Sequence, residues 1–103
     1  LSEGVALGKK SNLNMAKVLD AISGGAAQSW QMDNRFKTMV NGEFDFGFAV
    51  DLMIKDLKIA LDHSMDLGIK LPSTKSVLQN YKKLSTLGDC QLDTSSLIKL
   101  LEN

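Results

Sequence analysis

The stretch Ala49-Val50-Asp51-Leu52-Met53-Ile54-Lys55-Asp56-Leu57-Lys58-Ile59-Ala60-Leu61-Asp62-His63-Ser64-Met65-Asp66-Leu67, closed by Gly68, decides how the rest of the chain is read. Its apolar residues recur at helical spacing, so a helix is predicted from about Ala49 to Leu67, the longest in the chain. Projected at roughly 100° per residue, Asp51, Lys55, Lys58, Asp62 and Asp66 fall within about 80° of one another as a charged stripe. Asp51–Lys55 and Lys58–Asp62 are i,i+4 pairs of opposite charge, each contributing only about 0.2–0.5 kcal/mol. The remaining circumference is mostly apolar, which predicts a helix packed on several sides with its stripe toward water or a polar cleft. Asp56 stands off the stripe, among Leu52, Ile59 and Ala60. A carboxylate in apolar surroundings needs partners, because unpaired burial is costly. His63, two turns on and roughly 10 Å along the axis, is too far to be that partner. Two readings of Asp56 stand: a structural hydrogen-bonded carboxylate, or one that fixes a site loop or a neighbouring lysine.

On either side of this helix the signals are again helical. Leu1 to Lys10 reads as a short helix broken by Ser11-Asn12, and Asn14 is placed to N-cap a second helix ended by Gly24-Gly25. Ala26 to Val40 reads as one or two short helices around Trp30, Met32, Phe36 and Met39, with Asp33 a candidate N-cap for the second. Asn41-Gly42 opens a loop to Gly47. Beyond Pro72, Ser73 is a candidate cap for a helix to about Leu84; Gly88 breaks it, and Asp93 caps a last helix over Thr94 to Leu101. Only Asp45 to Val50 alternates like a strand, too briefly for a sheet. With no repeats or linkers, residues 1–103 are expected to form one all-α, multi-helical domain around the long central helix.

The chain carries 12 basic and 12 acidic residues. This balance gives no electrostatic case for nucleic acid or an anionic membrane as a partner. No apolar run approaches the roughly 20 residues of a membrane span, and no secretory signal is evident. Cys90 is the only cysteine, which fits a cytoplasmic or other reducing compartment. His63 has no second ligand at metal spacing, and Cys90 has no histidine partner, so neither a metal site nor a thiol nucleophile is expected. The five methionines read as core filler, and Trp30 and Phe36 as core or interface.

Gly47-Phe48, Asp51-Leu52, Lys55-Asp56-Leu57, Ala60-Leu61, Leu67-Gly68-Ile69 and Leu71-Pro72 form an ordered set. Together with Gly24-Gly25-Ala26-Ala27-Gln28-Ser29-Trp30 before it, and Tyr81, Gly88, Asp93, Leu97 and Leu100 after it, this set resembles the helical C-terminal domain of the 3-hydroxyisobutyrate (β-hydroxyacid) dehydrogenase family, which is 6-phosphogluconate dehydrogenase C-terminal-like and includes tartronate semialdehyde and glyoxylate or succinic semialdehyde reductases. The resemblance covers essentially the whole chain.

It implies a two-domain oxidoreductase in which an N-terminal Rossmann domain holds most of an NAD or NADP cofactor. The helical domain would close the active site over a small hydroxyacid or semialdehyde and mediate a homodimer or higher homo-oligomer. By the same resemblance, Lys55 matches a lysine that reaches the cofactor near the nicotinamide ribose, Phe48 an aromatic that walls the site, and Asp56 the acidic partner of the lysine.

Two family features are missing from the sequence. There is no Gly-x-Gly-x-x-Gly turn, since Gly24-Gly25 follows no strand. The catalytic lysine of the family lies some five helical turns before a point such as Lys9, so Lys9-x-x-Asn12 is read as a decoy at a helix end. The expectation is therefore a domain fragment, beginning at Leu1 without a methionine, that is inactive by itself although its parent is an enzyme. The competing expectation is a free-standing helical dimerisation or interaction module; a third is a small helical protein that binds an anion through Lys55.

Overall fold

A computed structural model describes residues 1–102 of the chain. Among these, five α-helices are followed by a wide turn and a closing 3-10 helix: α1 (Ser2–Lys10), α2 (Met15–Ile22), α3 (Trp30–Asn41), α4 (Val50–Asp66), α5 (Pro72–Leu84), the turn Ser85–Asp89 and the 3-10 helix Thr94–Leu101. The all-α expectation holds, and α4 lies within a residue of its predicted bounds at each end.

The caps explain most boundaries. Asn14 accepts the Lys17 N–H at 3.2 Å and starts α2 as expected. Two caps differ from expectation. α3 is a single helix begun by Ser29, whose hydroxyl accepts the Met32 N–H at 3.1 Å. Asp33 lies inside its first turn, accepting from the Gln28 side chain. α5 starts at Pro72 rather than at a Ser73 cap, because proline needs no N–H partner at the first helical position and its fixed φ suits the helix. Gly88, at φ +96°, adopts the left-handed backbone that ends the wide turn after α5.

Two apolar cores hold the helices. Val5, Met32, Phe36, Met39, Phe44 and Ile98 join α1, α3, the loop after α3 and the 3-10 helix. Val50, Tyr81 and Leu84 join α4 to α5, with Met53, Ile54, Leu57, Leu97 and Leu100 packed around them. The 3-10 helix touches both cores and ties the halves together. Extents of 45 × 32 × 22 Å and a radius of gyration of 14.8 Å, against about 13 Å for a compact chain of 100 residues, mark an elongated molecule.

α4 is where the structure departs most from expectation. The helix packs chiefly on α5, along one side, and only Val50 and Ser64 are fully buried on it. Leu52, Ile59 and Leu67 are exposed, and Met65 is 71% exposed, so it is not core filler as Met32 and Met39 are. The helical period was read correctly, but period alone does not say which apolar faces a single chain covers. The charged stripe from Asp51 to Asp66 is exposed throughout.

Candidate functional site

The site predicted at Phe48, Lys55 and Asp56 falls on the loop into α4 and its first two turns. α3 ends at Asn41, with the Gly42 and Glu43 N–H groups donating back to the Met39 and Thr38 carbonyls. Phe44 then enters the first core, and the chain turns sharply as the Phe46 N–H donates to the Phe44 carbonyl at 2.9 Å. Gly47 follows at φ +73°. A Cβ at Gly47 would meet the Asp93 carboxylate and lie 2.8 Å from Arg35 Nη2, so no other residue fits the bend as it stands.

Asp93 organises this corner. Its residue is 1% exposed, yet its carboxylate is fully occupied. Oδ1 accepts the Phe48 N–H at 3.1 Å. Oδ2 accepts Arg35 Nε–H at 3.0 Å, the Ser95 N–H at 3.0 Å and the Ser95 hydroxyl. Burial pushes the carboxyl pKa up, but the hydrogen bonds from Ser95, Arg35 and the Phe48 N–H outweigh it and hold Asp93 below its ordinary value. The Arg35 guanidinium carbon lies over the Trp30 ring and over the Phe46 ring, 4.8 Å from each centroid, a cation–π contact with both.

Backbone bonds complete the junction. The Asp93 N–H donates to the Phe44 carbonyl and the Thr94 N–H to the Phe48 carbonyl, each at 2.9 Å. At the start of α4, Ala49 offers no capping side chain. The Val50 and Asp51 N–H groups donate instead to the Leu92 and Cys90 carbonyls at 2.9 and 3.0 Å. The helix N-terminus is thus satisfied by the chain itself and does not serve as an open anion site. Ser85 adds a hydroxyl bond to Asp51 Oδ1 at 2.9 Å.

On this anchored base, Phe48 is 41% exposed, with its backbone bonded on both sides. Lys55 and Asp56 form an ion pair at 3.5 Å, with side chains 61% and 50% exposed. The apolar surround expected for Asp56 is absent, because Leu52 and Ile59 are themselves uncovered. Asp56 has Lys55 as its partner. An exposed pair of this kind contributes little to stability, so the two charges are available to a ligand.

Of the other sequence candidates, Cys90 is a half-buried free thiol that reaches this corner through its backbone carbonyl. His63 is exposed on the fourth turn of α4. Among the described residues no three His, Cys, Asp or Glu side chains gather at metal distance. Lys9 is paired with Glu102 near the chain's opposite end. Tyr81 is buried and donates its hydroxyl to the Thr94 carbonyl at 3.0 Å; burial first, with the Asp93 charge nearby, pushes its pKa up to about 12.

Arg35, and the parts that Gly47 and Asp93 play in this corner, were not found from the sequence. The only local signals were Asp93 as an N-cap and a glycine between two aromatics, Phe46-Gly47-Phe48. The pairing itself joins residues 58 positions apart, beyond the reach of periodicity.

Comparison with known proteins matches residues 1–101 to the family model described as "NAD-binding of NADP-dependent 3-hydroxyisobutyrate dehydrogenase". An uncharacterized oxidoreductase of Shewanella frigidimarina is 49% identical over 99% of the chain, which spans 35% of that protein. The 2-hydroxy-3-oxopropionate reductase of Escherichia coli K12 is 30% identical, with the same coverage of 99% and 35%. In structure, 3-hydroxyisobutyrate dehydrogenase of Mycobacterium tuberculosis, solved with L-serine, superimposes with a TM-score of 0.88 at 26% identity, over 99% of this chain and 37% of that one. The chain thus spans about a third of the length of the relatives it matches.

Proposed function

The chain belongs to the 3-hydroxyisobutyrate dehydrogenase family, as its helical C-terminal NAD-binding domain, and on that premise we propose that it is the site-closing half of an NAD- or NADP-dependent oxidoreductase acting on a small β-hydroxyacid or its semialdehyde. The observation that carries this reading is the exposed Lys55–Asp56 pair on the second turn of α4, together with an exposed Phe48 on the loop into that helix whose backbone is locked. A nicotinamide cofactor, when bound, supplies or accepts the hydride at the hydroxyl-bearing carbon.

The chemistry of the residues fits such a group. Lys55 offers an ammonium on a flexible stem, a donor suited to ribose hydroxyls or a phosphate. Asp56, 3.5 Å away, limits where that ammonium rests. Phe48 presents an apolar face that excludes water from one side of a small substrate, which strengthens every electrostatic contact inside. A proton must accompany hydride transfer, and the buried Asp93 carboxylate is taken up by its hydrogen bonds from Phe48, Arg35 and Ser95 and is not free to accept it. That role belongs in this proposal to a lysine on a segment outside the chain, next to a Rossmann domain that holds most of the dinucleotide.

The uncovered apolar residues of α4, with Leu67 and Ile69 beyond it, favour an added role. Exposed apolar side chains along a helix are candidates for cover by a partner, and in this proposal they meet another subunit of a homodimer or higher homo-oligomer.

The test is a spectrophotometric assay of NADH and NADPH oxidation with 2-hydroxy-3-oxopropionate, and of NAD and NADP reduction with 3-hydroxyisobutyrate. Turnover is expected from a polypeptide that joins this chain to a Rossmann domain and none from the 103 residues alone. Turnover by the 103 residues alone would overturn the proposal.

A further inference from the structure

We infer that Asp93 and Arg35 are positioning residues for Phe48, forming a latch that holds this ring at the substrate; the inference rests on the site proposed above. Phe48 is an aromatic left substantially exposed while its peptide is fixed on both sides. Asp93 Oδ1 accepts its N–H at 3.1 Å, and its carbonyl accepts the Thr94 N–H at 2.9 Å. A ring that served only the fold would be expected in one of the two cores, where Phe36 and Phe44 are.

The polar network adds two constraints to the bonds on Phe48's own peptide. Gly47, at φ +73°, turns the chain so closely over Asp93 and Arg35 that no Cβ fits. Arg35 donates Nε–H to Asp93 Oδ2 at 3.0 Å, and its guanidinium carbon lies over the Trp30 ring and over the Phe46 ring, 4.8 Å from each centroid. The same guanidinium donates Nη1–H to the Asn34 carbonyl at 3.1 Å, which adds to its hold. Trp30 remains exposed, so its ring serves Arg35 and not a core. Because Arg35 and Asp93 neutralise each other, the latch sets the ring's position without adding net charge beside an anionic substrate. A planar guanidinium is required for this: lysine keeps the charge but loses the stacking on the two rings and the directed fork.

The test uses steady-state kinetics of the intact dehydrogenase that contains this chain, with 3-hydroxyisobutyrate and NAD or NADP as probes. The variants are Phe48→Leu, Arg35→Lys and the two combined. Each single change is expected to lower kcat/KM for the organic substrate about 10- to 100-fold, as a misplaced contact does, while the KM for the dinucleotide stays within about twofold. If Arg35 acts through Phe48, the combined variant is no worse than the poorer single variant. Multiplying losses, or unchanged kinetics in Arg35→Lys, would overturn the latch while leaving the proposed site standing. Unchanged kinetics in Phe48→Leu would overturn both.

Trp30→Leu provides the same comparison without disturbing a buried charge, since Trp30 is exposed. It is expected to lower kcat/KM a few-fold in the wild-type background and not at all in the Phe48→Leu background. An equal loss in both backgrounds would assign Trp30, and with it the Arg35 stack, to folding alone and overturn the latch.

Discussion

The two ends of α4 are built on different terms. At its N-terminal end, Val50 is fully buried, the first N–H groups are taken by the Leu92 and Cys90 carbonyls, and the preceding loop is bonded to Asp93. At its C-terminal end, Ser64 is the only buried residue, while Met65 and Leu67 lie open to solvent. Both ends carry apolar residues at helical spacing in sequence. The difference lies in what the rest of the chain supplies: the 85–95 segment bonds to the first end, while Met65 and Leu67 at the second stay uncovered. The anchored end is therefore rigid enough to place a site, and the bare end offers surface to whatever covers it.

Removing the anchor should produce the largest effect on stability. Asp93→Ala leaves Arg35 uncompensated and the Phe48 and Ser95 N–H groups without their acceptor. A loss of about 3–5 kcal/mol is expected in denaturant unfolding; a change below about 1 kcal/mol would mean that water replaces the carboxylate. The sign with pH follows from the lowered pKa. Asp93 contributes stability above the ordinary carboxylate value of about 3.9, and that contribution is lost as pH falls through its folded value. An acid-unfolding profile of Asp93→Asn should lack this component.

Core truncations probe the two ends directly. Leu84→Ala, beneath the anchored half, should cost about 2–5 kcal/mol. Met65→Ala, at the bare end, should stay within about 0.5 kcal/mol in the chain alone. Equal costs would show that the far end of α4 is packed after all, and the contrast would fail.

Alkaline pH gives a third and somewhat smaller effect. Tyr81 has its pKa raised to about 12, so its buried neutral form adds stability that is complete below the unfolded value near 10 and lost as pH climbs through about 12. The loss should be about 2–3 kcal/mol, read as a falling denaturation midpoint between pH 10 and 12. Tyr81→Phe should flatten that fall. If it does not, some group other than Tyr81 titrates there.

The same contrast explains what could be read in advance. Helices, their order and the N-caps at Asn14 and Asp93 are local, and spacing finds them. The resemblance brought out Lys55, Asp56 and Phe48 because they share one short stretch. What escaped was long-range: Arg35 meeting Asp93, and the Cys90 and Leu92 carbonyls capping α4. The apolar surround expected for Asp56 fails for a related reason: apolar neighbours in sequence need not be buried neighbours in space, and Leu52 and Ile59 are not buried. Ser29 and not Asp33 caps α3 because the stretch forms one helix from Trp30, with no separate second helix for Asp33 to begin.

The central claim is that the anchored end of α4 holds half of a dinucleotide-dependent site, with Lys55 its contact to the cofactor. The most direct measurement is the dinucleotide KM and kcat of the intact dehydrogenase carrying Lys55→Ala. Loss of one charge-assisted hydrogen bond predicts a KM raised, or a kcat lowered, by about 10- to 100-fold, with thermal stability unchanged because the side chain is exposed. Wild-type kinetics in that variant would contradict the claim and return Lys55 to the solvated stripe of α4.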